Sequence, residues 1–212
     1  MTAISMRWRT LRPLFALTLV PYAIPAMAAG TDDPDWPCVQ RLMPELSAGA
    51  VWAGPSIENA VKLWREKPAV QSLVARIAAR RTPVEEGVGA IEAFAKTLGV
   101  GKDATLTLVF AGLFATIDAE RSLIIAGIKR YAKRQRRLAD RIRDLGAGLK
   151  GIPRGEPDER DARRAELYRQ WTWATRIFDE RERSSKALCD QPVLLEQRLF
   201  MLSRAIMAQL EG

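Results

Sequence analysis

Along the second half of the chain, mostly apolar residues recur at spacings that alternate three and four. Thr107, Phe110, Phe114, Ile117, Arg121, Ile124, Ile128, Tyr131, Gln135, Leu138, Ile142, Leu145 and Leu149 are its successive positions. A stripe that keeps this spacing for so long predicts one continuous helix pressing a single seam against a partner helix. A second stripe through Leu167, Trp171, Ala174, Phe178, Arg181, Ser185 and Leu188 predicts that partner. The stretch 146–157, with Gly146, Gly148, Gly151, Pro153 and Gly155, predicts the turn between them. Folding about residue 152 sets Leu138 near Leu167, Gln135 near Trp171 and Ile128 near Phe178. Pro192 is expected to break or kink the return helix. A last helix then carries Leu195, Leu199, Leu202 and Ile206 on one face.

The two halves of the long helix differ in kind. From Leu106 to Ile128 apolar residues lie off the seam as well as on it, among them Leu108, Val109, Leu113, Leu123 and Ile125. That predicts burial on nearly every side. From Lys129 to Arg143 the seam alone stays apolar, so this half touches one partner and otherwise faces water.

Three short helices are predicted before it. Ser56 caps one carrying Ile57, Val61 and Trp64. Pro68 opens a second with Val70, Leu73, Val74 and Ile77. Thr82-Pro83-Val84-Glu85 supplies a cap, a first-turn proline and a carboxylate for the third, which Gly99 ends. Asp103 is the expected cap of the long helix. Pro34, Pro37, Pro44 and Pro55, with Gly49 and Gly54, forbid a long helix between residues 29 and 56, and Trp36 and Trp52 are expected to anchor this irregular arm on a helical surface.

The fold class is therefore all-α: an elongated, coiled-coil-like antiparallel hairpin with short helices packed at its base and an irregular N-terminal arm. Residues 1–28 have the three parts of a cleaved signal peptide. Arg7, Arg9 and Arg12 precede the apolar run Leu14 to Ile24, and Ala26-Met27-Ala28 follows. Pro21 and Pro25 interrupt the apolar run, leaving it short of the roughly 20 residues a membrane-spanning helix needs. Residues 29–212 then form a single domain, with 29–56 as the arm, 57–128 and 179–212 as a helical head, and 129–178 as a projecting hairpin arm. The expected location is the periplasm of a Gram-negative cell, or otherwise the extracellular space.

Charge sharpens this picture. The chain carries a net +8, and without the three leader arginines thirty basic residues face twenty-five acidic ones, a net +5. The excess is concentrated. Lys129, Arg130, Lys133, Arg134, Arg136, Arg137, Arg141 and Arg143 face one acid, Asp140, within fifteen residues. Asp158, Glu159, Asp161 and Glu166 on the return helix are expected to neutralise part of this stretch. The two cysteines, Cys38 and Cys189, predict one disulfide in an oxidising compartment. Its loop of about 150 residues is worth up to about 5 kcal/mol by chain entropy.

Candidate chemistry is sparse. The chain has no histidine, which removes Ser-His and Cys-His catalysis, most zinc sites and the Glu-x-x-His pattern of di-iron bundles. Gly99-Val100-Gly101-Lys102 lacks phosphate-loop spacing. No catalytic residue, metal or cofactor is predicted. Asp118, Glu120 and Arg121 interrupt the apolar half of the long helix. They predict a buried polar network that Arg181 or Arg183 completes by meeting Asp118. An enzyme using Asp118 and Glu120 is the least supported alternative, since it needs a pocket the pattern does not predict.

These residues describe a non-enzymatic helical adaptor or scaffold of the cell envelope. It meets an envelope protein partner through Lys129, Arg130, Lys133, Arg134, Arg136, Arg137 and Arg141. Binding of an anionic membrane surface or polyanion by residues 129–143 is the alternative, at about 1 kcal/mol per cation near anionic lipid. Nucleic acid is not expected, because no aromatic platform interleaves with the arginines.

Overall fold

The computed structural model describes residues 33–153 and 158–211. The expected signal segment lies outside them, as do the tip of the turn at 154–157 and the side chain of Asp158. Five helices are described: α1 (Ala60–Leu63), α2 (Pro68–Ala78), α3 (Val84–Lys96), α4 (Lys102–Lys150) and α5 (Asp158–Met207). No strand occurs among the described residues. Helices α4 and α5, of 49 and 50 residues, pack as an antiparallel hairpin with the short helices at its base.

Local chemistry explains most of the helix ends. Pro68 opens α2 at a position where its missing N–H costs nothing. Pro83 stands one place earlier than expected, just before Val84, and Thr82 is buried without capping α3. The first helix begins at Ala60, later than a Ser56 cap implies, and Ser56 Oγ only accepts a long 3.4 Å bond from the Glu58 N–H. Asp103 does not cap α4 either. Gly101 precedes that helix with φ at 85°, in the left-handed region that favours glycine. Asp103 lies within the first turn, where its Oδ1 accepts the Glu211 N–H at 2.9 Å and ties the end of the chain to the start of α4.

The main core forms where α1, α2 and the last third of α5 pack on the first half of α4, with α3 set against α2 and α5. Leu106, Val109, Phe110, Leu113 and Ile117 from α4 meet Val70, Val74 and Ile77 from α2, Ile91 from α3, and Leu199, Leu202 and Ile206 from α5. Each such side chain is worth about 1.5–3 kcal/mol when fully buried. Gly112 sets the approach of α4 to the short helices. A Cβ there would lie 2.9 Å from both the Trp64 ring and a Val74 methyl. The expectation of burial on every side fails at Leu123, which is 72% exposed.

The N-terminal segment is irregular and anchored by its tryptophans, as its composition predicts. Trp52 stacks on Phe110 with ring centroids 4.1 Å apart. Trp36 forms a smaller core with Ile125 and Ile128, and its Nε1 donates to the Gln40 carbonyl at 2.7 Å. Cys38 and Cys189 are disulfide-bonded, with Cα atoms 5.6 Å apart, so the segment is also fixed to α5.

Two sequence expectations about the hairpin require correction. Helix α4 continues through Gly146 and Gly148 to Lys150, which moves the turn towards the C-terminus. The pairing shifts with it. Gln135 Nε2 donates to the Phe178 carbonyl at 3.4 Å, Trp171 lies beside Gly146, and Leu167 lies beside Gly148. Gln135 therefore faces Phe178 instead of Trp171, a displacement of one heptad. The alternation that defines a seam is unchanged by a seven-residue slip, so it fixes which faces meet but not which turns. Pro192 does not break α5, which is one helix to Met207. The cost of an interior proline, about 3 kcal/mol, is offset by anchoring on both sides: the disulfide at Cys189 before it, and Leu195, Leu199, Leu202 and Ile206 in the core after it.

Candidate functional site

A helix advances about 100° per residue, so the basic stretch of α4 distributes its charges over distinct faces. The side chains of Lys129, Lys133 and Arg136, spaced four and three, share one face, and all three are engaged. Lys129 Nζ lies 2.7 Å from Asp33, and Lys133 Nζ lies 2.8 Å from Asp35. Arg136 pairs with the other oxygen of Asp35 and donates to the Pro34 carbonyl at 2.9 Å. The Lys129 hydrogen bond holds the Asp33 carboxyl below its ordinary range. Lys133, and after it Arg136, do the same for Asp35. Further along, Arg143 pairs with Asp140 on its own helix.

Arg130, Arg134, Arg137 and Arg141 behave differently. Their spacing of four, three and four puts them on one adjoining face along roughly 16 Å of helix. All four are exposed, and among the described residues none has an ion pair or hydrogen bond. The exposed Leu123 lies seven residues before Arg130 on the same face.

The clasp from Asp33 and Asp35 replaces the neutralisation expected from α5. With the one-heptad shift, Leu167 stands beside Gly148, beyond the basic stretch. Glu166 is then engaged by Arg169 and Gln170 of its own helix, and their hydrogen bonds lower its pKa. Asp33 and Asp35 are about a hundred residues from their partners in the chain. Only the cluster of acids ahead of Trp36 and Cys38 hinted at them.

The expected polar network divides into separate contacts. Arg121, 2% exposed, is paired through Nε to Glu196 at 2.6 Å and donates to the carbonyls of Met43 and Pro44. Glu120 lies 3.7 Å from Arg80. Asp118 does not meet Arg181 or Arg183: its Oδ1 is buried without a hydrogen-bond partner, and Arg181 contributes only its backbone carbonyl, which accepts the Tyr131 hydroxyl. A further buried cation was missed. Arg198 donates twice to the Ile77 carbonyl, at 3.0 and 2.7 Å, and burial lowers its pKa while Glu120 opposes the shift. Its position between Leu195 and Leu199, on the apolar face of α5, was the available signal.

One small notch of about 250 Å³ opens beside the clasp. Pro37, Tyr131, Gln135 and Phe178 are among its lining residues, and the Gln135 Oε1 is buried there without a partner. No group of three or more Cys, Asp or Glu side chains able to hold a metal occurs among the described residues. No known protein family matches the chain, and neither a characterised protein nor a solved structure similar to it was found.

Proposed function

We propose that this chain is an exported helical recognition protein, and that it holds an acidic surface of a partner protein against Arg130, Arg134, Arg137 and Arg141. The observation that carries the reading is the contrast between the two basic faces. A charge run that served solubility alone needs no sorting, yet here three cations are tied down and the neighbouring four, in a straight row, have no ion pair among the described residues. The row stands on a helix stiffened by its seam, which lowers the ordering cost of binding. A helix with carboxylates recurring at three and four has the matching spacing. Export is supported by the disulfide, which fits an oxidising compartment. Among the described residues no helix is long and apolar enough to cross a membrane.

The test is a photocrosslinker at Arg137 in intact cells, combined with an Arg134→Glu, Arg137→Glu, Arg141→Glu variant. The reading expects a discrete protein adduct that the triple variant loses with its helicity intact. Adducts to lipid alone, with vesicle binding that falls steeply with salt, would replace it with anionic-surface binding.

A further inference from the structure

The last third of α5 has an outer face as regular as its buried one. Asp190, Leu194, Gln197, Met201 and Arg204 follow at four, three, four and three, and all five are exposed. Leu194 and Met201, one heptad apart, are 54% and 43% exposed, and Phe200 beside them is 48% exposed. Ala187, three residues before Asp190, and Ala208, four after Arg204 and just past the end of α5, continue the row by one step at each end and are small enough to let a second backbone approach. Alternation of this kind is the signature of a helix that packs along that face, yet among the described residues Leu194, Gln197 and Met201 are left open, and only the Arg204 end borders residues 49–53.

The charges on the face identify what would cover it. Asp190 and Arg204 stand seven residues either side of Gln197, and neither has an ion pair among the described residues. The Arg204 guanidinium lies 5.8 Å from the centre of the Phe200 ring. From Asp190 to Arg204 the face is acidic at one end, basic at the other and apolar between, which makes this stretch complementary to itself when turned end for end; Lys186, exposed one turn before Asp190, falls opposite Ala208 in that pairing. We infer that this face of α5 is a twofold interface between two copies of the chain, running antiparallel about Gln197. In that arrangement Asp190 comes within one helical turn of Arg204 of the second copy, and Arg204 of the first meets Asp190 of the second. Leu194 and Met201 interdigitate with the same two residues across the axis. Parallel pairing would set Asp190 against Asp190 and Arg204 against Arg204, which costs affinity at both ends. The Arg130 to Arg141 row is on α4 and takes no part, so this inference stands independently of the proposed function.

The experiment is sedimentation velocity on the purified, disulfide-bonded full chain across the micromolar range, with three variants. Asp190→Arg and Arg204→Asp each place like charges at both ends of the pairing and should weaken dimerisation by at least about tenfold. Mixed in equal amounts they restore both attractions, and a heterodimer should return. Leu194→Glu should abolish association. Circular dichroism separates these effects from unfolding, because all three side chains are exposed. A wild-type chain that sediments as a monomer at every concentration would overturn the inference. So would single charge reversals that dimerise as the wild type does, or a mixture that fails to regain association.

Discussion

The two halves of α4 belong to one helix but are held in different ways. From Leu106 to Ile117 the helix is gripped by α1, α2 and α5 together, and Gly112 lets Trp64 and Val74 close on its backbone. From Leu138 onwards it faces α5 along a single seam, with Trp171 beside Gly146 and Leu167 beside Gly148. The first arrangement over-determines the position of every turn. The second fixes a face and leaves the choice of turn to the ends of the hairpin. Near residue 129 the N-terminal segment joins the two regimes, through the Trp36 core, the disulfide to α5 and the aspartate clasp.

The largest way to disturb this comparison is to cut the link between the regimes. Replacing Cys38 and Cys189 together by Ser should lower stability by about 5 kcal/mol by chain entropy. Urea unfolding should show the loss, with proteolysis appearing first in residues 33–56. Next comes the contrast in core cost. Phe110→Ala, which removes a fully buried ring that Trp52 stacks on, should cost about 3–5 kcal/mol. Leu138→Ala, on the half-buried distal seam, should cost about 1 kcal/mol. Equal losses for the two in urea unfolding would refute the distinction.

The junction offers a third, smaller effect. Arg121→Ala leaves the Met43 carbonyl without its donor and Glu196 without its cation. Since Glu196 is partly exposed, the expected loss is about 2 kcal/mol by thermal unfolding. The smallest effect is the clasp itself. Asp33 and Asp35 have lowered pKa values, so their contribution is present above the ordinary carboxylate value of 3.8 and is lost as the pH falls through their lower folded values. Carboxyl resonances followed by NMR should show midpoints for both below 3.8, moving towards it in high salt. Midpoints at the ordinary value would mean the clasp is open in solution.

What could be read from the sequence follows the range of the interaction. Helix, seam and amphipathic face depend on neighbours three and four residues apart, and these expectations agree with the fold. The disulfide was legible because two cysteines leave one pairing. The register was not, because a heptad pattern looks the same after a seven-residue slip, and Gly146 and Gly148 argued for a turn where Trp171 and Leu167 pack beside a continuous helix. Pro192 misled for a similar reason. Propensity is a local cost, and packing on both sides of that residue exceeds it. The sorting of the basic stretch into a clasped and a free face was hidden by distance, since nothing near Lys129 announces Asp33. Arg121 was recognised as buried, but its partners came from Glu196 and the backbone of 43–44 and not from Arg181.

The seam that hid the register also makes the hairpin adjustable in discrete steps. Deleting one heptad from α4 and the facing heptad from α5 keeps every remaining residue on its own face, while the tip retreats by roughly 10 Å. The head and the clasp, which lie on the near side of such a cut, are untouched. Reach can therefore change like the length of a ruler, one graduation at a time, without redesign of the parts that hold it.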